Sequence, residues 1–324
     1  MDRNTVGRQL KDSAEELKFI VERYGRFIDG EKISNSCDGP PSASALRKDA
    51  MKSVLATAKG LRWEFDYESL ANVLLDYESE IESHFMNTVE HVQFLMYKAC
   101  YSFYHQGNEE QATRYFHQAL AIPAADMIHH AMVYRELGSM YRWLEAYDQA
   151  EESYQQAKNL MKKYPEYRRG KLHIELLYCL GVLYQDMGRY FEAMKAVEKA
   201  IKHNKNNNSY HYLDLLYRLK SSLVLVENDI EASTAYLQKA RTFNDFRLPS
   251  EQIALEPYLT STELMIELTK AGISIHDGRL LIRYELDKII EIYNDYMSKP
   301  TIKEALLQYE TNQVQKKMKK LQAV

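Results

Sequence analysis

Glycine and proline are scarce in this sequence, 12 and 7 among 324 residues. That excludes a chain made of many tight turns and favours long helices. Cysteine is scarcer still: Cys37, Cys100 and Cys179 lie far apart, without metal-ligand spacing, which argues against a disulfide framework and for a reducing compartment. No apolar run approaches the ~20 residues of a membrane span, and the opening MDRNTVGRQLKDSAEELK is charged where a signal peptide would be apolar. A cytoplasmic protein with no membrane partner is expected. Neither sign of charge dominates, and a net charge of -4 gives no overall pull toward nucleic acid or an anionic surface.

Motifs that carry chemistry are missing as well. No glycine cluster follows a strand pattern, so there is no phosphate-cradling loop, and no H-E-x-x-H occurs among the ten scattered histidines. His129 and His130 are adjacent, but neighbours on a helix point in different directions and do not share a metal. No catalytic residue, metal ligand or cofactor site is assigned, and an enzyme is not expected.

What is present is a repeated pattern of small and large residues. The chain reads Tyr134-x2-Leu137-Gly138-x2-Tyr141, then Ala150-x3-Tyr154-x2-Ala157. It repeats as Leu177-x2-Leu180-Gly181-x2-Tyr184, then Ala193-x3-Val197-x2-Ala200. Gly138 with Ala150, and Gly181 with Ala193, are the places where two helices must nearly touch, so only small side chains fit. Two weaker copies flank these. One has Met96, Cys100 and Phe103 before Ala112, Phe116 and Ala119; the other has Tyr217, Ser221 and Val224 before Ser233, Leu237 and Ala240. The tight-contact residues Cys100, Gly138, Gly181 and Ser221 are 38, 43 and 40 residues apart, longer than a 34-residue unit, and longer helices are expected to supply the excess.

These motifs resemble the tetratricopeptide repeat, whose signature is W-x2-L-G-x2-Y…A-x3-F. The resemblance implies an all-α, right-handed solenoid of about five helix pairs, with an N-terminal helical region and atypical C-terminal capping helices. Residues 1–64 are read as the N-terminal region, 65–245 as repeats and 246–324 as the atypical end. Within the first region, 4–29 reads as an amphipathic helix with a heptad seam, packing on its own chain or on a second copy as a homodimer. Residues 33–43 read as a linker, and a helix is expected from Ser44 to about Lys59. Asp66 is placed to cap a helix reaching Ile81. Asn204 to Asn208 read as a polar loop. Helices are expected over Gln252–Lys270, over Asp277–Met297 and after Pro300.

The resemblance further implies that the second, fifth, ninth and twelfth positions of each first helix line a concave groove. In chain order these are Phe94, Tyr97, Tyr101 and Tyr104; Met132, Arg135, Ser139 and Arg142; Glu175, Tyr178, Val182 and Gln185; and Leu215, Arg218, Ser222 and Leu225. The first set reads as an aromatic ladder for peptide side chains, and Arg135, Arg142 and Arg218 as holders of carboxylates. The asparagines and lysines with which some such repeats hold chaperone tails are not found at these offsets. With lengthened repeats and the run Lys162 to Arg169 between two of them, the chain looks most like bacterial Rap-type and PlcR-type receptors for signalling peptides. That likeness implies a peptide or protein-segment ligand and a second partner such as a response regulator. A plain scaffold for an assembly, and a regulator with a divergent DNA-binding head in its first 60 residues, stay open as alternatives, DNA being the less expected partner.

Overall fold

The structure is a computed structural model, and it describes residues 43–123, 128–163, 170–270, 272, 275–276 and 279–280. The expected helices over 4–29 and after Pro300, the linker 33–43 except its last residue, and nearly all of the helix from Asp277 lie outside the described residues. The chain divides into two compact units between Ala50 and Met51, and the repeats belong to the second.

Eleven helices occur among the described residues: α1 (Ala43–Trp63), α2 (Tyr67–His84), α3 (Val89–Tyr104), α4 (Glu109–Ala121), α5 (Ile128–Trp143), α6 (Tyr147–Lys163), α7 (Lys171–Asp186), α8 (Tyr190–Asn206), α9 (Leu213–Val226), α10 (Ile230–Asn244) and α11 (Pro249–Lys270). Helices α3 and α4, α5 and α6, α7 and α8, and α9 and α10 pack most extensively as pairs. Helices α5, α7 and α9 each also touch the first and second helices of the pair before them, and α11 meets α9 and α10 in the same way. The apolar clusters overlap accordingly, each joining neighbouring pairs, as in a solenoid whose units cannot bury their own faces alone.

The expected close approaches are real contacts. A Cβ on Gly138 would lie 2.6 Å from the Tyr154 ring and 3.2 Å from the carbonyl oxygen of Ala150, and one on Gly181 would meet Leu219 at 3.1 Å and Val197 at 3.2 Å. Cys100 and Ser221 are fully buried at the same offset, and the Ser221 hydroxyl lies 2.8 Å from the Ser233 carbonyl, to which it donates. Seven residues beyond each small residue the chain turns through the left-handed region, at Gly107, Glu145, Gly188 and Asn228, with φ between 62° and 72°. The backbone bonds Ala146 N–H to Tyr141 O, Arg189 N–H to Tyr184 O and Asp229 N–H to Val224 O close three of these turns in the manner of a helix C-cap.

The same turn recurs one hairpin earlier than the sequence signature reaches. Phe65 has φ 61°, Asp66 N–H donates to Leu61 O at 3.0 Å, and the residue seven positions back is the buried Ala58. A left-handed phenylalanine costs roughly 1–2 kcal/mol, so packing imposes it. Here Leu70 stands where Ala112, Ala150, Ala193 and Ser233 stand in the other hairpins, and that larger residue hides the pattern. Asp66 caps α2 as expected, its carboxylate accepting from Ser69 N–H at 3.0 Å.

Four expectations need correction. Helix α1 reaches Trp63, about one turn past Lys59. Helix α8 continues to Asn206, because Asn204 is buried and its side-chain amide donates to His211 O at 2.8 Å, tying α8 to the next pair. The repeat excess is not helix length alone: α5 with α6 and α7 with α8 each span 36 residues, and segments of six or seven residues separate successive pairs. Beyond α11, Ile275–His276 pair antiparallel with Arg279–Leu280, so two residues of the helix expected from Asp277 form a short ladder instead.

Candidate inner-wall binding site

The first helices α3, α5, α7 and α9 align side by side, and α1 reaches the same wall. Charges alternate across it. Arg62 donates to Glu136 at 3.2 Å, Arg135 to the other oxygen of Glu136 at 2.7 Å, and Arg135 also lies 3.5 Å from Glu175, which pairs with His211 at 2.9 Å. The two glutamates are only 7% exposed, so each would be costly without its cation. Burial pushes the carboxyl of Glu175 up, but Arg135 and the bond from His211 outweigh it and hold it at about 2. Burial likewise opposes ionisation of Glu136, and Arg135 and Arg62 draw it below its ordinary range. Burial, with Glu136 nearby, pushes the Cys100 thiol up to about 12, so it remains a thiol 3.9 Å from Glu136.

The first hairpin and the last helices meet across this wall. The Trp63 ring stacks on Tyr212 at 5.1 Å with the Arg247 guanidinium on it at 5.1 Å, and Phe65 lies 6.4 Å from Tyr258. Ser250 donates to Glu64 at 2.7 Å, and Arg247 is itself held by both oxygens of Asp214. Arg62 lies over Tyr104 at 4.7 Å, and Trp143 meets the same ring edge-on at 6.1 Å.

The predicted lining divides. Phe94 lines a cleft of about 340 Å³ with Ile81, Met86 and Tyr115, and Tyr101 lines another of about 400 Å³ with Leu74, Leu75 and Tyr115; no residue of the charged wall borders either. Tyr97 and Tyr104 face Arg62 and Glu136, and Tyr97 is buried. The ladder splits because seven residues return a helix to within about 20° of the same face, whereas three or ten leave it roughly 60–80° away. Arg142 is seated on Asp186 at 2.7 Å, and Arg135 on the two glutamates. The Ser139 hydroxyl is 3.1 Å from that of Tyr154. Glu175, Leu215, Ser222 and Leu225 are buried, while Met132, Tyr178, Val182, Gln185 and Arg218 are half-buried.

Sequence reading missed Arg62, Trp63, Glu136, His211, Tyr212, Asp214 and Arg247. A signal for the first two did exist. Arg62-Trp63 precede the left-handed Phe65 at the offsets by which Arg142-Trp143 precede Glu145, and both arginines end on an acidic residue of a later helix.

Residues 174–207 match the tetratricopeptide repeat family, a stretch that covers most of α7 and all of α8. No curated protein matches the chain. Among solved structures it is similar to one described as the functional characterization of Pseudomonas aeruginosa pilF, at 14% identity and a TM-score of 0.47, covering 82% of this chain and 99% of that one. Together with the recurring hairpins, the family match makes this an all-α array of tetratricopeptide-type helix pairs, an architecture for protein–protein interaction. No described helix is long and apolar enough to cross a membrane.

Proposed function

We propose that this protein is a regulator that binds a short peptide or protein segment along the inner wall, and that binding alters how the two ends of the array meet. A second partner, in the manner of signalling-peptide receptors acting on response regulators, would read that change. The observation that carries this reading is the meeting of Trp63, Tyr212 and Arg247 across the wall. A ligand entering between the first helices must compete with these contacts, which couples occupancy to shape. The lining proposed is Tyr97, Tyr104, Arg135, Ser139, Arg142, Glu175, Tyr178, Gln185, Arg218 and Ser222, with Phe94 and Tyr101 assigned to the neighbouring clefts.

Isothermal titration of the full chain with a pool of short peptides tests it, using Tyr104→Ala and Arg142→Ala as wall variants and Tyr101→Ala as the off-wall control. Both wall variants should weaken binding while the control does not. Equal binding by all four proteins would remove the wall assignment, and a complete lack of peptide binding alongside co-purifying subunits would favour a scaffold.

A further inference from the structure

Away from the wall, the two clefts lined by Phe94 and Tyr101 are halves of one groove. Glu78 of α2, Lys98 of α3 and Tyr115 of α4 border both. Lys98 is paired with Glu78 and lies over the Tyr115 ring at 4.8 Å, so the three side chains form a bar across the middle. On either side of that bar the lining repeats at a fixed interval. Leu74 and Ile81 on α2, Tyr101 and Phe94 on α3, and Gln111 and Gln118 on α4 each stand one in the larger cleft and one in the smaller, seven residues apart. Seven residues of helix set the two clefts about 10.5 Å apart. Large apolar side chains mark both ends: Leu75, 70% exposed, borders the larger cleft, and Met86, 51% exposed, the smaller. Exposed apolar residues gathered in a groove with a polar rim mark a site for a partner. The rim is of one sign along α2, which carries Glu68, Asp76, Glu78, Glu80 and Glu82 and neither lysine nor arginine.

The pair α9 with α10 shows what such a groove takes. There Lys220 pairs with Glu198 and lies over Tyr236 at 4.8 Å, and Tyr236 stands three residues after Ser233 as Tyr115 stands three after Ala112. The chain's own Tyr217 ring fills the place beside that bar, stacked on Tyr236 at 6.1 Å and on Phe243 at 5.6 Å. Phe243 has the offset of Ile122, which lines the smaller cleft of the first groove.

We propose that the groove between α2 and α4 is a second docking surface, separate from the inner wall, for an amphipathic helix of a partner protein. That helix carries large apolar residues at i and i+7, a small residue between them, and lysine or arginine on the flank that faces α2. Helix residues seven apart return to within about 20° of one face and lie about 10.5 Å apart, which matches both clefts, and the small residue between them passes over Lys98 and Glu78. This is the recognition of a helix in a groove through spaced anchors. An extended strand sets same-face side chains about 7 or 13 Å apart and cannot fill both clefts. A polyproline helix, at about 9 Å per turn, is the nearest rival.

The probes are fluorescein-labelled peptides of about 18 residues, five helical turns, titrated with the full chain and read by anisotropy. The first carries leucines at i and i+7, alanine between them and lysines on one flank. The second moves the later leucine to i+5, off that face, the third exchanges lysine for glutamate, and the fourth is proline-rich with leucines three apart. The first should bind at least about tenfold more tightly than the second, the scale of one buried apolar contact, and several-fold more tightly than the third. Leu75→Ser and Met86→Ser, at exposed positions where the fold is kept, should each weaken it by about tenfold, while Arg142→Ala on the inner wall leaves it unchanged. Equal binding of the first two peptides, or binding indifferent to both serine variants, would overturn the groove, as would absence of binding. A loss in Arg142→Ala as large as in Leu75→Ser would assign the peptide to the wall instead and overturn it as well. Tighter binding of the proline-rich peptide would overturn the helix as occupant. A dimer seen by sedimentation and lost in Leu75→Ser would give the groove to a second copy of the chain and overturn the partner helix too.

Discussion

The crossings between paired helices and the wall those pairs leave on their inner side are built by opposite means. At Gly138 two helices approach until no side chain fits, with the fully buried Tyr154 ring filling the space above. At Ser221 the same offset carries a hydroxyl, but it is tied to both the carbonyl and the hydroxyl of Ser233 and remains small. Volume decides there, and residue identity matters little. On the wall volume matters little: Arg62, Glu136, Arg135, Glu175 and His211 form a chain in which every charge needs its neighbour. A crossing fails when an atom is added, whereas the wall fails when a partner is removed.

The largest effect should follow from Glu136→Ala. It removes the acceptor shared by Arg62 and Arg135 and leaves Arg62 without a carboxylate among the described residues and Arg135 with Glu175 alone, which costs about 3–5 kcal/mol in buried pairs. Urea denaturation of the full chain measures it. A loss below about 1 kcal/mol, the range of exposed ion pairs, would mean that the wall is solvated and that the contrast with the crossings does not hold.

Acid should act through the same network. Glu175 is held at about 2 against an ordinary value of 4.5, so its contribution is fully present above pH 4.5 and is lost as pH falls through that value toward 2. The loss is on the order of 2–3 kcal/mol. Glu136 is lowered in the same direction and adds to the slope. Urea midpoints taken from pH 6 to pH 3 should fall, and Glu175→Gln should flatten the fall; an equal slope in both proteins would place the acid sensitivity elsewhere.

Next comes Gly138→Ala. The added methyl would lie 2.6 Å from the Tyr154 ring, and that ring cannot swing aside because its hydroxyl is bonded to Ser139. Overpacking of this kind costs about 1–3 kcal/mol, measured as a lower thermal midpoint. Tyr154→Leu should absorb part of the cost in the double variant, since the two residues share one space. Strict additivity would show that the crossing is looser than its geometry.

Most of the fold was legible because crossings obey a local rule. Small residues recur at fixed offsets, and the helices follow from them, including the Asp66 cap and the degenerate copies at Cys100 and Ser221. The first hairpin escaped because Leu70 occupies a position that is alanine or serine elsewhere, although the turn at Phe65 is the same. The wall was legible only in part. Repeat offsets gave Arg135, Arg142 and Arg218 correctly as first-helix residues, but not that Glu136, Glu175 and Asp186 already hold two of them. Those pairings join residues as much as 44 positions apart, and no periodicity encodes which acid meets which base. The aromatic ladder failed for a simpler reason, since spacings of three, seven and ten do not keep four side chains on one narrow face.

The smallest effect belongs to Gly181→Ala, and it is the sharpest test of what makes a crossing tight. Here the new methyl would meet Leu219 Cδ2 at 3.1 Å and Val197 Cγ2 at 3.2 Å, with the Ala193 carbonyl back at 3.6 Å. Leu219 can yield by a small rotation, so the strain is slight, and replacing glycine by alanine within a helix gains about 1 kcal/mol. The two should nearly cancel, leaving a change within about 0.5 kcal/mol by urea denaturation. Set beside Gly138→Ala, this separates two causes that the repeat signature cannot distinguish. If both substitutions cost the same, backbone approach sets the tolerance at every crossing; if only Gly138→Ala is costly, the immovable tyrosine ring sets it, and the glycine of the next hairpin is retained for other reasons.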